Sequence, residues 1–348
     1  MDRRDFFKAS VAGGAALAIS SAATSSANAQ NSMPIIKPEK IKAGDTVMII
    51  APSGVEYNKL RLQLSVESLE ALGLKVKVAE NTLGRWGYFP AEDKVRADEI
   101  NQAFADKDVK AIIALKGGWG AARTLPYLDF DLIKNNPKIL MGYSDVTALL
   151  NPIYEKTGLI TFHGPIAGGA WNKFTQDSVR EILFEGKAQH MVNPQEKGEY
   201  LTVRNNRIQT VVSGTAEGRM VGGNLTVLTA LQGTPYFPTI KDNILILEDV
   251  GENIYRVDRM LTQLALGGHL DECAGVVMGG WTDVGTDGGY GDFALMDIFE
   301  HHFASRDKPV FTGALFGHIA DNRTMPIGCN VKIDADAGSV TMQESAVS

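Results

Sequence analysis

The sequence predicts an α/β protein: an N-terminal doubly wound parallel sheet, followed by a smaller C-terminal α/β region with antiparallel strands. Three observations carry this. Short apolar runs alternate with stretches of helical apolar spacing. The runs end in Gly, Ser or Pro turns, as strands of a buried parallel sheet do. At 348 residues the chain holds about two domains of roughly 150 residues.

Residues 1–29 stand apart from the fold. Arg3 and Arg4 precede Asp5-Phe6-Phe7-Lys8, an uncharged small or apolar run extends from Ala9 to Ala23, and Ala27-Asn28-Ala29 provides an A-x-A cleavage pattern. The paired arginines resemble a twin-arginine export signal, which implies a periplasmic destination for an already folded protein. The run is short of the roughly 20 residues that span a bilayer, and no later stretch replaces it, so no membrane span is expected after cleavage.

The first expected strand is Thr46–Ile50, the first helix Lys59–Leu72 and the second strand Lys75–Ala79, together one βαβ unit. A helix over Lys94–Phe104 leads into a strand over Ala111–Leu115, then the loop Gly117-Gly118-Trp119-Gly120 and a helix opening at Ala121. Ile139–Met141 and Leu159–Phe162 complete the N-terminal domain, assigned to residues 36–167. Residues 168–198 are more polar, with a short helix around Ser178–Phe184, and read as an interdomain connection. In the C-terminal domain, residues 199–341, Tyr200–Val203 and Ile208–Val212 flank Asn205-Asn206, which predicts a hairpin with a type I′ turn. Strands are expected over Asn243–Leu247, Ala274–Met278 and Pro309–Phe311, and helices over Tyr255–Leu266 and Phe293–Phe303.

Composition excludes several functions. The net charge is −7 and the pI about 5.5. Cleavage of residues 1–29 removes three basic and two acidic residues, leaving 31 against 39 and a net charge of −8, the wrong sign for a nucleic-acid binder. Two cysteines, Cys273 and Cys329, allow at most one disulfide, and both are expected as buried thiols. None of the six histidines has metal-ligand spacing. Asp283–Asp292 resembles a calcium loop only partly, because Ala294 stands where a bidentate Glu is needed. No metal and no cofactor are assigned.

The candidate chemistry lies after the strands. Ser144 follows a buried strand and precedes a helix, where a sharp turn exposes a nucleophile; the alternative is a helix cap by Ser144 or Asp145. Gly117 and Gly118 offer unblocked amides for an oxyanion or a phosphate, or make a tight turn. The glycine spacing is neither that of a Walker loop nor that of a dinucleotide fingerprint. Glu248 and Asp249 end a strand at the usual ligand edge of an α/β sheet, or cap the turn beyond it. His318 lies among small and polar residues after an apolar run.

Taken together, Ile49–Ser53, Gly87–Pro90, Arg96–Asp98, Gly117–Arg123, Gly142–Asp145, His163–Pro165, Gly222–Leu225, Leu247–Asp249, Arg256–Arg259 and Gly317-His318 resemble, in order, the serine LD-carboxypeptidases. That family includes muramoyltetrapeptide carboxypeptidases and the microcin C7 immunity peptidases. The resemblance implies a flavodoxin-like N-terminal sheet and a Ser-His-Glu triad of Ser144, His318 and Glu248 at the interface of the two domains. It also implies an oxyanion hole from the amides of Asp145 and Gly117 or Gly118, and a homodimer. The expected reaction is release of a terminal D-alanine from peptidoglycan tetrapeptides. Trp119, Arg123, Arg256 and Arg259 are candidates for substrate binding. Lys116 and Trp119 stand where the family commonly has Arg and Tyr, which alters the cleft wall. Trp171 is the candidate base platform for the same-fold alternative, hydrolysis of a peptidyl-nucleotide or another amide. An exported solute-binding protein is the alternative of another class.

Overall fold

In the N-terminal half, runs rich in Val, Ile and Ala form strands because both faces of a parallel sheet are covered by helices, and such strands have no polar side. A computed structural model describes residues 34–285 and 291–348. The export signal expected at residues 1–29 and the centre of the Asp283–Asp292 loop lie outside the described residues. From Pro34 to Ser348 the chain packs as one compact unit.

The elements of the first half, in order, are β1 (Thr46–Ile50), α1 (Lys59–Ala71), β2 (Lys75–Val78), α2 (Asp93–Ala105) and β3 (Val109–Ala114). A 3-10 helix (Ala121–Tyr127), α3 (Phe130–Asn135), β4 (Ile139–Gly142), a 3-10 turn (Ser144–Val146), α4 (Thr147–Thr157) and β5 (Thr161–His163) follow. The strands pair in the order β2, β1, β3, β4, β5, all parallel. This is the flavodoxin-like doubly wound order, with a switch point between β1 and β3.

The connecting region holds α5 (Lys173–Val179), which runs into a π-helical turn (Arg180–Phe184), then β6 (His190–Met191). The helix begins earlier than expected because the Asn172 side chain accepts from the Thr175 amide at 2.9 Å and caps it.

Beyond it come β7 (Gln209–Val212), β8 (Thr215–Asn224), α6 (Leu225–Ala230), β9 (Ile244–Val250), α7 (Ile254–Leu266), α8 (His269–Glu272) and β10 (Gly275–Thr282). The chain closes with α9 (Leu295–Phe303), β11 (Val310–Thr312), β12 (Met325–Ile327), β13 (Asn330–Asp334) and β14 (Ser339–Met342). The second sheet has the order β6, β14, β13, β8, β9, β10, β11, β7. Its centre, β8 to β11, is parallel, and antiparallel strands flank it on both sides. With eight strands against six, it is the wider sheet rather than the smaller one.

Two features depart from the sequence-based expectation. The hairpin over Tyr200–Val212 does not form. Asn206 takes the left-handed backbone that an Asn-Asn pair favours, at φ 55°. Residues 200–203 nevertheless join no strand, Leu201 is 97% exposed, and Gln209–Val212 pairs with β11 instead. The turn signal was local and did not decide which strand Gln209–Val212 would join. Conversely, β8 had no sequence signal, because Glu217, Gly218 and Arg219 interrupt its apolar run. It divides its length, pairing Thr215–Arg219 with β13 and Met220–Asn224 with β9.

β12 adds antiparallel to β5 and so closes the edge of the first sheet with residues from far downstream. One apolar core results, running from Val47, Ile112 and Phe162 of the first sheet to Leu245, Val276 and Phe311 of the second.

Candidate active site

Gly142 ends β4, and the chain turns at once into the Ser144–Val146 helix. Ser144 has φ 64°, a left-handed conformation that costs a non-glycine residue energy and recurs at functional turns. Neither Ser144 nor Asp145 is a helix cap here: Tyr143 precedes the 3-10 turn and Val146 precedes α4, and neither position has a side-chain cap. The local capping alternative for this serine therefore fails, and the strained strand-to-helix elbow is what is found.

Asp145 does cap a helix, but a different one. Its buried carboxylate accepts from the Ala121 amide at 2.8 Å, at the start of the 3-10 helix that follows the glycine loop. Burial raises the Asp145 carboxyl above its ordinary range, against the pull of the hydrogen bonds it accepts. The contact clamps the loop of Gly117–Gly120 to the Ser144 turn. Gly117 is held so closely that a Cβ there would lie 2.8 Å from both Cβ and Oγ of Ser144 and 3.4 Å from the Asp145 nitrogen. Only glycine fits. Backbone of Gly117 and of Asp145 thus lies beside the Ser144 side chain.

Glu248 lies near the C-terminal end of β9, fully buried. Its Oε2 is 2.7 Å from Nδ1 of His318, which sits in the loop after β11 with its side chain partly exposed. The approach depends on Gly317, at φ 101°, where a Cβ would fall 2.6 Å from that same oxygen. Burial alone would raise the Glu248 carboxyl, but the imidazoles of His163 and His318 outweigh it and hold the group at about 2. The carboxylate is therefore ionised at neutral pH and orients the ring, leaving Nε2 as the outward nitrogen. The Tyr143 ring, adjacent to Ser144, packs edge-on against His318 at 4.8 Å and joins the two halves of the site.

A cavity of about 530 Å³ opens on His318, lined also by Tyr143, Pro165, Trp171, Thr282 and Asn322. Trp171 is buried, with its indole nitrogen donating to the Ala167 carbonyl at 3.1 Å, so it is a packed wall of this cavity. Lys116 donates to the Val55 carbonyl at 3.1 Å and faces the buried Glu56 at 3.8 Å. Trp119 is 56% exposed and lies against Tyr88, ring centroids 5.3 Å apart.

The three candidate arginines are exposed and already partnered. Arg123 holds Asp93 through two nitrogens, each at 2.9 Å, and lies over Phe89. Arg256 bonds the Tyr255 hydroxyl and pairs with Glu252 at 3.4 Å, and Arg259 lies over the Tyr255 ring. Cys273 and Cys329 are buried and unpaired, and burial pushes their thiols up to about 11 and about 12. Such thiols are poor nucleophiles. Among the described residues no three His, Cys, Asp or Glu side chains converge as a metal site would need.

Sequence reasoning placed His163 in the family-like segment His163–Pro165 but gave it no role in the site. It lies at the end of β5, beside Gly142 of β4, with its ring fully buried and Nε2 3.6 Å from Oε1 of Glu248. The available signal was positional, since His163 ends one strand just as Ser144 follows the strand beside it.

Residues 47–164 match the family model described as the LD-carboxypeptidase N-terminal domain, and residues 217–333 match the LD-carboxypeptidase C-terminal domain. A probable murein peptide carboxypeptidase of Bacillus subtilis is 34% identical over 311 residues, 89% of this chain and 93% of that protein. The structure of MccF in complex with glutamyl sulfamoyl guanosine superposes with a TM-score of 0.81 at 29% identity, over 90% of this chain and 99% of that one. The muramoyltetrapeptide carboxypeptidase of Oxalobacter formigenes gives 0.73 at 29% identity, over 85% and 97%. With a parallel sheet ending in a serine elbow and a second sheet supplying a carboxylate-held imidazole, this chain belongs to the LD-carboxypeptidase family and is a serine carboxypeptidase-type hydrolase.

Proposed function

We propose that the protein releases the C-terminal D-alanine from peptidoglycan tetrapeptides, with Ser144 as nucleophile, His318 as general base and Glu248 as the group that orients it. The observation that carries the assignment is the 2.7 Å hydrogen bond from His318 to a fully buried, ionised Glu248, beside the strained serine turn. His318 Nε2 takes the Ser144 proton as Oγ attacks the carbonyl of the L-configured centre. Negative charge on the carbonyl oxygen falls between the amides of Asp145 and Gly117 or Gly118. The imidazolium then gives its proton to the departing D-alanine amine. Water attacks the remaining ester through the same base, frees the tripeptide and restores the serine.

The muropeptide substrate is supported by the names of the relatives, the Bacillus subtilis and Oxalobacter formigenes carboxypeptidases. The paired arginines and the A-x-A pattern of the first 29 residues support a periplasmic site of action, where the wall itself is within reach. A peptidyl-nucleotide substrate is the second reading, favoured by the TM-score of 0.81 with MccF bound to a glutamyl sulfamoyl guanosine.

The test is incubation of the mature chain and of Ser144→Ala with disaccharide-tetrapeptide, in chelator, following D-alanine by mass spectrometry. Release by the native protein alone is expected. Release by both would remove Ser144 from the reaction. Release by neither, with turnover of a peptidyl-nucleotide, would favour the second reading.

A further inference from the structure

The triad accounts for one oxygen of Glu248. The other, Oε1, is buried without a hydrogen-bond partner at 3.6 Å from Nε2 of His163. Both ring nitrogens of His163 are likewise buried and unpaired, and the ring is fully enclosed. Two aromatic rings pack near it: the Phe316 ring meets it edge-on at 5.8 Å, and the Tyr143 ring lies at 6.1 Å. Buried polar groups are almost always hydrogen-bonded, and here an unpaired carboxylate oxygen and an unpaired imidazole nitrogen lie 3.6 Å apart. A shift of well under about 1 Å would bring them to ordinary hydrogen-bond distance.

We infer that His163 is a positioning residue for the reaction, its Nε2–H donating to Oε1 of Glu248 and so turning Oε2 onto His318. This rests on the triad reading given above. The strand pairings supply the rigidity. His163 is fixed by β4 on one side, opposite Gly142, and by Met325 of β12 on the other. Glu248 is fixed in β9 opposite Asn224. One histidine therefore anchors the carboxylate from the first sheet, and the other receives it from the loop of the second. A carboxylate held at both oxygens cannot rotate away when His318 becomes charged.

The charged and titratable groups around Glu248 are few. His318 and His163 face it directly, Tyr143 reaches it from the serine turn, and Asp249 follows it on β9. Removing the His163 donor leaves the carboxylate's charge more fully on Oε2, the oxygen that faces Nδ1 of His318. The acid limb of kcat/KM therefore moves to higher pH when His163 is replaced by an apolar residue.

Two arms test this. In the native full chain labelled with 15N-histidine, the His163 resonance is assigned by its loss in His163→Gln. Nε2 is expected to carry a proton and to shift in Glu248→Gln. A deprotonated Nε2 overturns the inference, and this arm needs neither turnover nor a destabilised variant. In the second arm, His163→Leu is expected to lower kcat by up to about 10²-fold with KM nearly unchanged. It should also raise the acid limb, and His163→Gln, which keeps a donor near the Nε2 position, should recover most of both. Folded His163→Leu with native kcat and native pH profile would overturn the inference, as would Gln performing no better than Leu. Absence of D-alanine release by the native enzyme would instead overturn the proposed substrate, with the NMR arm still deciding the role of His163.

Discussion

The two sheets equip the same site in different ways. The first supplies backbone: a serine in a left-handed turn, a glycine loop pressed against it, and an aspartate that clamps loop to turn. The second supplies side chains, a buried glutamate and the histidine that it holds. Backbone groups need no rotamer to be selected, so the first half is set once the chain has turned. The second half depends on a carboxylate and an imidazole keeping one orientation, and that requires partners on every side. Errors in the first half should therefore act through steric fit, and errors in the second through proton affinity.

The largest effect should come from Ser144, the proposed nucleophile. Ser144→Ala is expected to lower kcat by at least about 10⁴-fold while leaving thermal unfolding close to native, measured by single-turnover D-alanine release and calorimetry. An unchanged kcat would dissolve the comparison, because the strained turn would then have no chemical role.

On the side-chain half, Glu248→Gln should cost about 10³- to 10⁴-fold in kcat, since the amide leaves the imidazole poorly oriented and its cation unsupported. The same substitution has a signature in stability. The folded group, held at about 2, lies below its ordinary value of 4.5. Its ionic contribution is thus fully present above roughly pH 4.5 and is lost as pH falls through about 2. Denaturant titrations of the native protein should weaken over that window, and Glu248→Gln should flatten that part of the dependence. An identical acid profile would show that the carboxylate is not held as described.

On the backbone half, Gly117→Ala places a Cβ 2.8 Å from the Ser144 oxygen. A loss of about 10²- to 10³-fold in kcat is expected, comparable with removing one oxyanion donor, together with a pH profile that does not move. A shifted acid limb would mean that the two halves are not separable in this way.

Smaller effects sharpen the boundary of the site. Asp145→Ala leaves the Ala121 amide without its buried acceptor and should cost about 1–3 kcal/mol of stability, read from chemical unfolding. Arg123→Ala removes an exposed pair with Asp93 and should cost at most about 1 kcal/mol. If Arg123 serves its structural partner alone, KM is unaltered. A severalfold rise in KM would return it to substrate binding.

The central parallel strands β3 and β4 were legible because they are buried on both faces and so appear as apolar runs, as in Ala111–Ala114, whereas the edge strand β2 alternates Lys and Val and stays partly exposed. Ser144, Glu248 and the glycine loop were legible as positions at the ends of strands and His318 as a residue after an apolar run, and their joint role came from the family resemblance of the segments that hold them. The pairing of Asn205-Asn206 was read as a hairpin because turn chemistry is local. Whether Tyr200–Val203 had a strand to join was not a local property. β8 was hidden for the opposite reason, its Gly and charged residues being acceptable only because the strand changes partners midway.

By itself, then, the sequence determined the alternation of strands and helices and the turn that carries Ser144, since these follow from apolar periodicity and turn-forming residues within a few positions, while the roles of Ser144, His318 and Glu248 were what the family resemblance implied. The tertiary structure alone decided that β12 completes the first sheet, that Asp145 caps a helix other than its own, and that His163 stands on the second oxygen of Glu248. Each of these joins groups more than 20 residues apart. Their partners are selected by burial and by the need to pair polar atoms away from water, and neither requirement is written in the neighbouring residues.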